Sequence, residues 1–285
     1  VKITSHTHVD EQLAKEIRRL ENNIKEYDGI RNEMYIADNL NFDASLPWVF
    51  TMHNEEELIS VVTAFIPSKK EIELMGITHP GHRRNGYFSI LEKQVYETWD
   101  KHNIPSLLYV LNEDSHSGKA VAVKREAVYQ YTEFQMEYTA DDLEKGTCNL
   151  EILRAGENDL EILAEIQERA FGLPREDART FINLALNKSN HYLFIGYLNN
   201  TPVTMGAAAF LEEASSIYGV CVLPEHQGFG YGRELMVHLV KASEQLSDQK
   251  ITLEVDSKNE RAYQLYRKLG FVATTSTGYY RKSLI

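Results

Sequence analysis

Cysteine is nearly missing from this chain of 285 residues: Cys148 and Cys221 are its only two. They stand far apart and lack the spacing of metal ligands, so neither a disulfide framework nor a metal site is expected. The histidine pairs His6/His8 and His79/His82 have no Cys or acid to complete a ligand set. Long apolar runs are missing too. None approaches the ~20 residues that span a bilayer, and the opening VKITSHTHVDEQ holds no signal-peptide core. The chain begins on Val1 instead of Met, which suggests a processed start. These features lead us to expect a cytoplasmic protein with no membrane partner. Basic residues are the third shortage: 30 Lys and Arg face 42 Asp and Glu, for a net charge of −12. That balance argues against nonspecific nucleic-acid binding, which needs a basic surface. It is compatible with a cationic substrate such as an amine, although a net charge also serves solubility.

What is present is ordinary in bulk, with 43% hydrophobic and 25% charged residues and a length suited to two domains. One stretch is not ordinary. Residues 220–233 read VCVLPEHQGFGYGR. An apolar run, 217–223, is broken by Pro224. Three glycines follow at alternate positions, Gly228, Gly230 and Gly232. A helical pattern then places Leu235, Met236, Leu239, Val240 and Leu246 on one face. Strand, glycine loop and helix N-terminus together suit a phosphate, because backbone N–H groups and the helix dipole both face it. A ligand-free turn is the plain alternative. The loop is not a P-loop, since Gly232 precedes Arg233 and Glu234. Nor is it a Rossmann turn, since its spacing is GxGxG and residues 224–227 separate it from the strand.

Periodicity organises the rest. Residues 10–27 read as an amphipathic helix, with Leu13, Ile17, Leu20, Ile24 and Tyr27 on one face and a stop at Asp28-Gly29. Strands are expected at 48–52, 58–66, 72–77 and 106–111, with a helix running to about 101. The polar segment 139–148 is the expected boundary. Beyond it come a strand at 150–154, a helix from 158 or 159, and another at 174–186. Strands at 192–198 and 203–210 flank Asn199-Asn200, a hairpin signal. A strand at 251–255 and a helix at 259–269, closed by Gly270, complete the pattern. The halves align. One offset of 144 pairs Pro80 with Pro224, Trp48 with Tyr192, Gly86 with Gly230, and Tyr109 with Leu253. We read a tandem duplication of one α/β unit, with domains at 1–140 and 148–285.

In the second copy, Asn259, Ala262, Tyr263 and Tyr266 share one helix face, and Glu254 lies on the preceding strand. Here the sequence resembles the GCN5-related N-acetyltransferases (GNAT). Their acetyl-CoA signature, Gln/Arg-x-x-Gly-x-Gly/Ala after a strand, reads Gln227-Gly228-Phe229-Gly230-Tyr231-Gly232. Their later Asn-x-x-Ala-x-x-Leu-Tyr-x-x-x-Gly-Phe pattern reads NERAYQLYRKLGF, residues 259–271. The resemblance covers residues 150–285 well and the first half weakly, and the tandem layout is similar to the mycothiol synthase branch. It implies two mixed-sheet α/β acyl-CoA N-acyltransferase folds in tandem, with acetyl-CoA as cosubstrate and no metal. Backbone groups of Val220, Cys221 and Val222 would pair with the pantetheine arm. Amides from Gly228 to Arg233 would hold the pyrophosphate, and Asn259 would hydrogen-bond the cofactor. Tyr266 matches the acid for the departing thiolate and Glu254 a general base. Asp256, Glu212 and Glu213 are rival bases, and Tyr266 also has a reading as a packing residue. Cys221 reads as packing and not as a nucleophile.

The first copy departs from the signature. Its loop, Arg83-Arg84-Asn85-Gly86-Tyr87-Phe88, loses the last glycine. The offset sets Val110 opposite Glu254, Ser115 opposite Asn259 and Ala122 opposite Tyr266, so acid and base are both absent. Turnover is expected in the second copy. The acceptor, a small-molecule or peptide amine, is expected to meet residues 170–186 and 274–280. The competing reading is a non-catalytic acyl-CoA sensor or assembly module.

Overall fold

The computed structural model of the chain describes residues 1–30, 33–36, 41–140, 149–211 and 214–284. Cys148, Glu212, Glu213 and most of the expected boundary segment lie outside the described residues. The chain forms two compact units. One comprises Val1–Glu133 with Thr275–Ile285, the other Phe134–Thr274.

The first unit runs β1 (Lys2–His6), α1 (Glu11–Asp28), β2 (Val49–Asn54), β3 (Glu57–Phe65), β4 (Ile72–Thr78), α2 (Tyr87–Trp99), β5 (Ser106–Asn112) and α3 (His116–Lys124), and then enters β6 (Val128–Tyr138). The α1 periodicity buries Leu13, Ile17, Leu20 and Ile24. Asp10 caps its start by accepting from the Leu13 N–H at 2.8 Å, and Gly29 ends it at φ +72°. Strands β1 to β4 pair antiparallel in order, and β4 pairs with β5 in parallel. The last strand of the chain, β12 (Phe271–Ser283), pairs antiparallel with β5 through Thr277–Ser283.

The second unit runs β7 (Glu151–Arg154), α4 (Leu160–Phe171), α5 (Arg175–Leu186), β8 (His191–Leu198), β9 (Thr201–Phe210), β10 (Ala214–Val222), α6 (Tyr231–Leu246), β11 (Lys250–Asp256) and α7 (Glu260–Lys268), and then enters β12. Strands β7 to β10 pair antiparallel in order, and β10 pairs with β11 in parallel. Asn199 and Asn200 make the β8–β9 turn at φ 50° and 64°, as a two-residue hairpin with Asn at both positions requires. Two clusters cover the sheet faces. One gathers Leu235, Met236, Leu239, Leu253, Val255 and Tyr266, and the other Leu163, Ile166, Ile182, Leu193, Met205 and Cys221. Leu246, expected on the buried face of α6, is 52% exposed at the helix end.

Duplication is visible element by element. Adding 144 to β5 and α3 gives the bounds of β11 and α7 residue for residue. The hairpins β2–β3 and β8–β9 even bulge at matching places, Met52/His53 and Gly196/Tyr197. The single offset of 144 nevertheless does not hold throughout, and that expectation needs correction. Leu74 lies opposite Tyr109, while Ile217 lies opposite Leu253. The first strands of these pairs are thus related by 143 and the second by 144. A β-bulge between Tyr218 and Cys221, with Gly219 at φ +62°, supplies the extra residue that restores the count. Two compensating changes therefore hide inside one apparent offset.

Residues 274–280, expected to meet the acceptor, are part of β12, and residues from Thr275 onward belong to the first unit.

Candidate functional site

The opening between β10 and β11 organises the site in the second unit. Their parallel ladder ends at Ile217 and Leu253, while both strands run on, to Val222 and Asp256. The bulge at Gly219 falls just past that point. Strand edges that stop pairing keep N–H and C=O groups to offer, and an extended amide-bearing chain can use them. Val220, Cys221 and Val222 form this edge.

The loop follows. Pro224–His226 makes one 3₁₀ turn, Gln227 to Gly230 are exposed, and α6 starts at Tyr231 with Gly230 as its N-cap. Gly228 and Gly230 adopt φ +92° and +91°. Those values favour glycine, and they aim successive N–H groups to one side, as an anion nest does. The Gln227 side chain donates to the Val222 carbonyl at 3.1 Å and so braces the loop against the strand. Phe229, Tyr231, Gly232 and Arg233 line the start of the helix, with the Phe229 and Tyr231 rings stacked at 6.0 Å.

Asn259 caps α7, its Oδ1 accepting from the Ala262 N–H at 3.2 Å. That leaves its amide nitrogen as the donor it can offer a ligand. Tyr266, on the buried side of α7, is 8% exposed. Burial, and then the neighbouring Cys221, push its phenol up to about 12. Burial likewise pushes the Cys221 thiol up to about 12, so it carries no nucleophilic thiolate at neutral pH. Glu254 lies on β11 between Leu253 and Val255. Both of those pack into the cluster under α6 and α7, so Glu254 turns to the opposite, exposed face. Asp256 shares that face. The structure thus brings loop, Asn259, Tyr266 and Glu254 to the same end of β10 and β11. A cavity of about 540 Å³ elsewhere in this unit, lined by Tyr263, Arg267 and Gly270, touches none of them.

The first unit keeps the frame and not the groups. Arg84 and Gly86 repeat the two left-handed loop positions at φ 65° and 80°, and Ser115 repeats the cap of α7 on α3. Arg83, however, is engaged. Its Nε donates to the Thr78 carbonyl and its Nη1 to Asp28, at 3.1 and 3.0 Å. A cavity of about 800 Å³ opens there, lined among others by Gly76, Arg84, Gly86, Ser115 and Val121. Beneath it Glu92 accepts from the Tyr109 hydroxyl at 2.5 Å and from Arg125 at 3.0 Å.

Two polar residues on the Glu254 face escaped the sequence reading. His191 Nδ1 and the Tyr218 hydroxyl meet at 2.6 Å. The available signal was Ala207 and Ala209 on the intervening strand, small residues that leave room for a bridge. Among the described residues no group of three or more His, Cys, Asp or Glu is placed to hold a metal, and no helix is long and apolar enough to cross a membrane.

The acetyltransferase (GNAT) family model matches residues 160–271. The [ribosomal protein bS18]-alanine N-acetyltransferase of Escherichia coli (strain K12) is 33% identical over 125 residues, which cover 43% of this chain and 81% of that protein. A mycothiol acetyltransferase of Paenarthrobacter aurescens (strain TC1) is 45% identical over 56 residues, 20% of this chain and 17% of that one. Among solved structures, a GCN5-related N-acetyltransferase from Sphaerobacter thermophilus superposes with a TM-score of 0.80 at 15% identity, covering 99% of this chain and 95% of that chain. A tandem GNAT protein from the clavulanic acid biosynthesis pathway gives 0.73 at 11% identity, covering 99% and 98%. The chain belongs to the GNAT acetyltransferase family and is an N-acetyltransferase built as two GNAT folds in tandem.

Proposed function

We propose that the second unit transfers an acetyl group from acetyl-CoA to a primary amine by direct attack, with Glu254 as base and Tyr266 as acid. The observation that carries this reading is convergence. The glycine loop, the opened β10–β11 edge, a buried protonated phenol and an exposed strand carboxylate stand at one end of the unit. The backbone of Val220, Cys221 and Val222 binds the pantetheine amides. Amides from Gly228 to Arg233 hold the pyrophosphate, helped by the dipole of α6. Glu254 takes the proton of the ammonium, directly or through water, so that its nitrogen lone pair is free. As the N–C bond forms and the C–S bond breaks, Tyr266 gives its phenolic proton to the sulfur, and the proton then shed by the nitrogen returns through water to the tyrosinate. Val110 and Ala122 leave the first unit without either group, so it serves architecture or binds without turnover.

An assay of acetyl-CoA consumption tests this across primary amines: an alanine-initiated peptide, glucosamine and putrescine. Acetylation of at least one by the wild type, and its loss in Glu254→Gln and Tyr266→Phe, are expected. A wild type that binds acetyl-CoA and acetylates none would favour a sensor or assembly module instead.

A further inference from the structure

The face of the second unit that carries Glu254 also carries the His191–Tyr218 pair, which the reaction as written does not use. His191 begins β8 and Tyr218 lies on β10, with β9 between. Neighbouring strands are about 4.8 Å apart, so the two backbones are separated by roughly 10 Å. Their side chains still meet, at 2.6 Å, with the rings edge to face at 5.6 Å. The register explains how. Ala209 lies opposite His191 and Ala207 opposite Tyr218, so only methyl groups stand under the bridge. A Leu at either position would close the path.

The location ties the pair to the transfer site. Tyr218 packs in the cluster with Leu193, Ala207 and Cys221, on the face toward which Glu254 turns. Ile217 lies opposite Leu253 at the end of the parallel ladder. Tyr218 and Glu254 are the next residue on each strand, at the mouth of the opening. The first unit has no such pair, since the register places Met75 where Tyr218 stands and the offset places Pro47 where His191 stands.

The chemistry narrows what it can bind. Burial pushes the Tyr218 phenol up to about 12 and holds His191 below its usual value. At neutral pH the pair is a phenol and a neutral imidazole. Their mutual hydrogen bond uses one donor and one acceptor. Whichever ring nitrogen carries the proton, one donor and one acceptor remain. An amide or a hydroxyl complements that set. Either can pair with the phenol oxygen in both tautomers, whereas an alkylammonium, which only donates, can do so only when the phenol accepts.

We propose that Tyr218, positioned by His191, binds a neutral amide or hydroxyl group of the acceptor, so that the substrate class is a primary amine bearing such a group and not a plain alkyl polyamine. This rests on the reading of the second unit as the transfer site. Tyr218 is the contact and His191 the positioning residue.

Steady-state rates with alaninamide, glucosamine and putrescine test it, beside titration of acetyl-CoA binding. For the wild type, kcat/KM for alaninamide or glucosamine should exceed that for putrescine by about tenfold or more, the weight of one or two such hydrogen bonds. Whichever of the two leads identifies the group as amide or hydroxyl. Tyr218→Phe and His191→Ala should erase the preference, mainly through KM, with acetyl-CoA affinity held within about twofold. His191→Asn, whose side-chain amide can donate or accept where Nδ1 stood, should restore most of it. A wild-type preference for putrescine overturns the proposal. So does an intact preference in both Tyr218→Phe and His191→Ala, or a His191→Asn enzyme no better than His191→Ala. Glu254→Gln separates the two readings. If it stays fast while Tyr218→Phe loses the preference, the base assignment falls and the acceptor inference stands. If the wild type acetylates no amine, both fall.

Discussion

Tyr266 and Cys221 are electrostatic neighbours in the second unit, and burial lifts phenol and thiol alike to about 12. The match bears on the leaving group. An ordinary thiolate, with a conjugate acid near 8.5, would be about 3.5 units too weak a base for a phenol at 12, roughly 5 kcal/mol uphill. Cys221 shows what this environment does to a thiol. On the proposed reading, a CoA thiolate formed beside it would meet similar desolvation, and its proton affinity would move toward that of Tyr266.

Removing the phenol tests that match. Tyr266→Phe should lower kcat by about 10²–10⁴-fold, the usual range for a positioned acid. Acetyl-CoA affinity should stay within about twofold, because the packing surface of the ring remains. Unchanged turnover would leave Tyr266 as a packing residue. The same phenol also shapes alkaline stability. Its folded value, about 12, lies above the unfolded ~10. Its contribution is therefore intact below about pH 10 and lost as pH rises from about 10 to about 12, by on the order of 2–3 kcal/mol. Urea unfolding at stepped pH should show a shallower loss in Tyr266→Phe.

The loop gives a prediction with a different cause. A Cβ added at Gly230 would meet no other atom within 4 Å, yet its φ is +91°. Gly230→Ala therefore suffers from backbone conformation and not from a clash, at about 1–2 kcal/mol. The loop would relax away from its nest geometry. Weaker acetyl-CoA binding, by about tenfold in titration calorimetry, is the expected result. Wild-type affinity in Gly230→Ala would disconnect this loop from the pyrophosphate.

These two groups were not equally visible in the sequence. The loop was legible because its function rests on local backbone conformation, which alternate glycines announce. Helix α7 was legible because Asn259, Tyr266 and Gly270 stand at fixed spacing along one segment. The α1 face and the Asn199-Asn200 turn are local in the same sense. The His191–Tyr218 bridge was not, because it depends on register across three strands and on alanines that look unremarkable alone. The bulge at Gly219 was hidden for another reason: a compensating change upstream preserved the offset of 144. The placement of Thr275–Ile285 with the first unit is a property of tertiary pairing, and β12 carries no local mark of it.

The first unit should respond in stability alone. Glu92 is 3% exposed and is the common acceptor for Tyr109 and Arg125. Glu92→Ala leaves a half-buried guanidinium and a buried hydroxyl without that partner, a loss of about 3–5 kcal/mol. Denaturant unfolding should show it. Acetyl transfer at a temperature where the variant is folded should remain near wild type, since the proposed acid and base both belong to the second unit. A loss of kcat in folded Glu92→Ala would place the first unit in the reaction.

Glu254→Gln gives the sharpest test of the base, because its defect should depend on pH in a known direction. With a peptide N-terminus as acceptor, the amine titrates at about 7.7–8.0. Below that value most of the acceptor is protonated, and the variant has no carboxylate to take the proton. Its rate should then follow the free-amine fraction, rising about tenfold per pH unit toward 7.7 and levelling above it. The wild type, which keeps the Glu254 carboxyl group, should vary less over the same range. The ratio of wild type to variant should therefore be largest near pH 6 and shrink by pH 9. A ratio independent of pH would remove Glu254 from proton transfer, and Asp256, on the same face of β11, would become the next residue to replace.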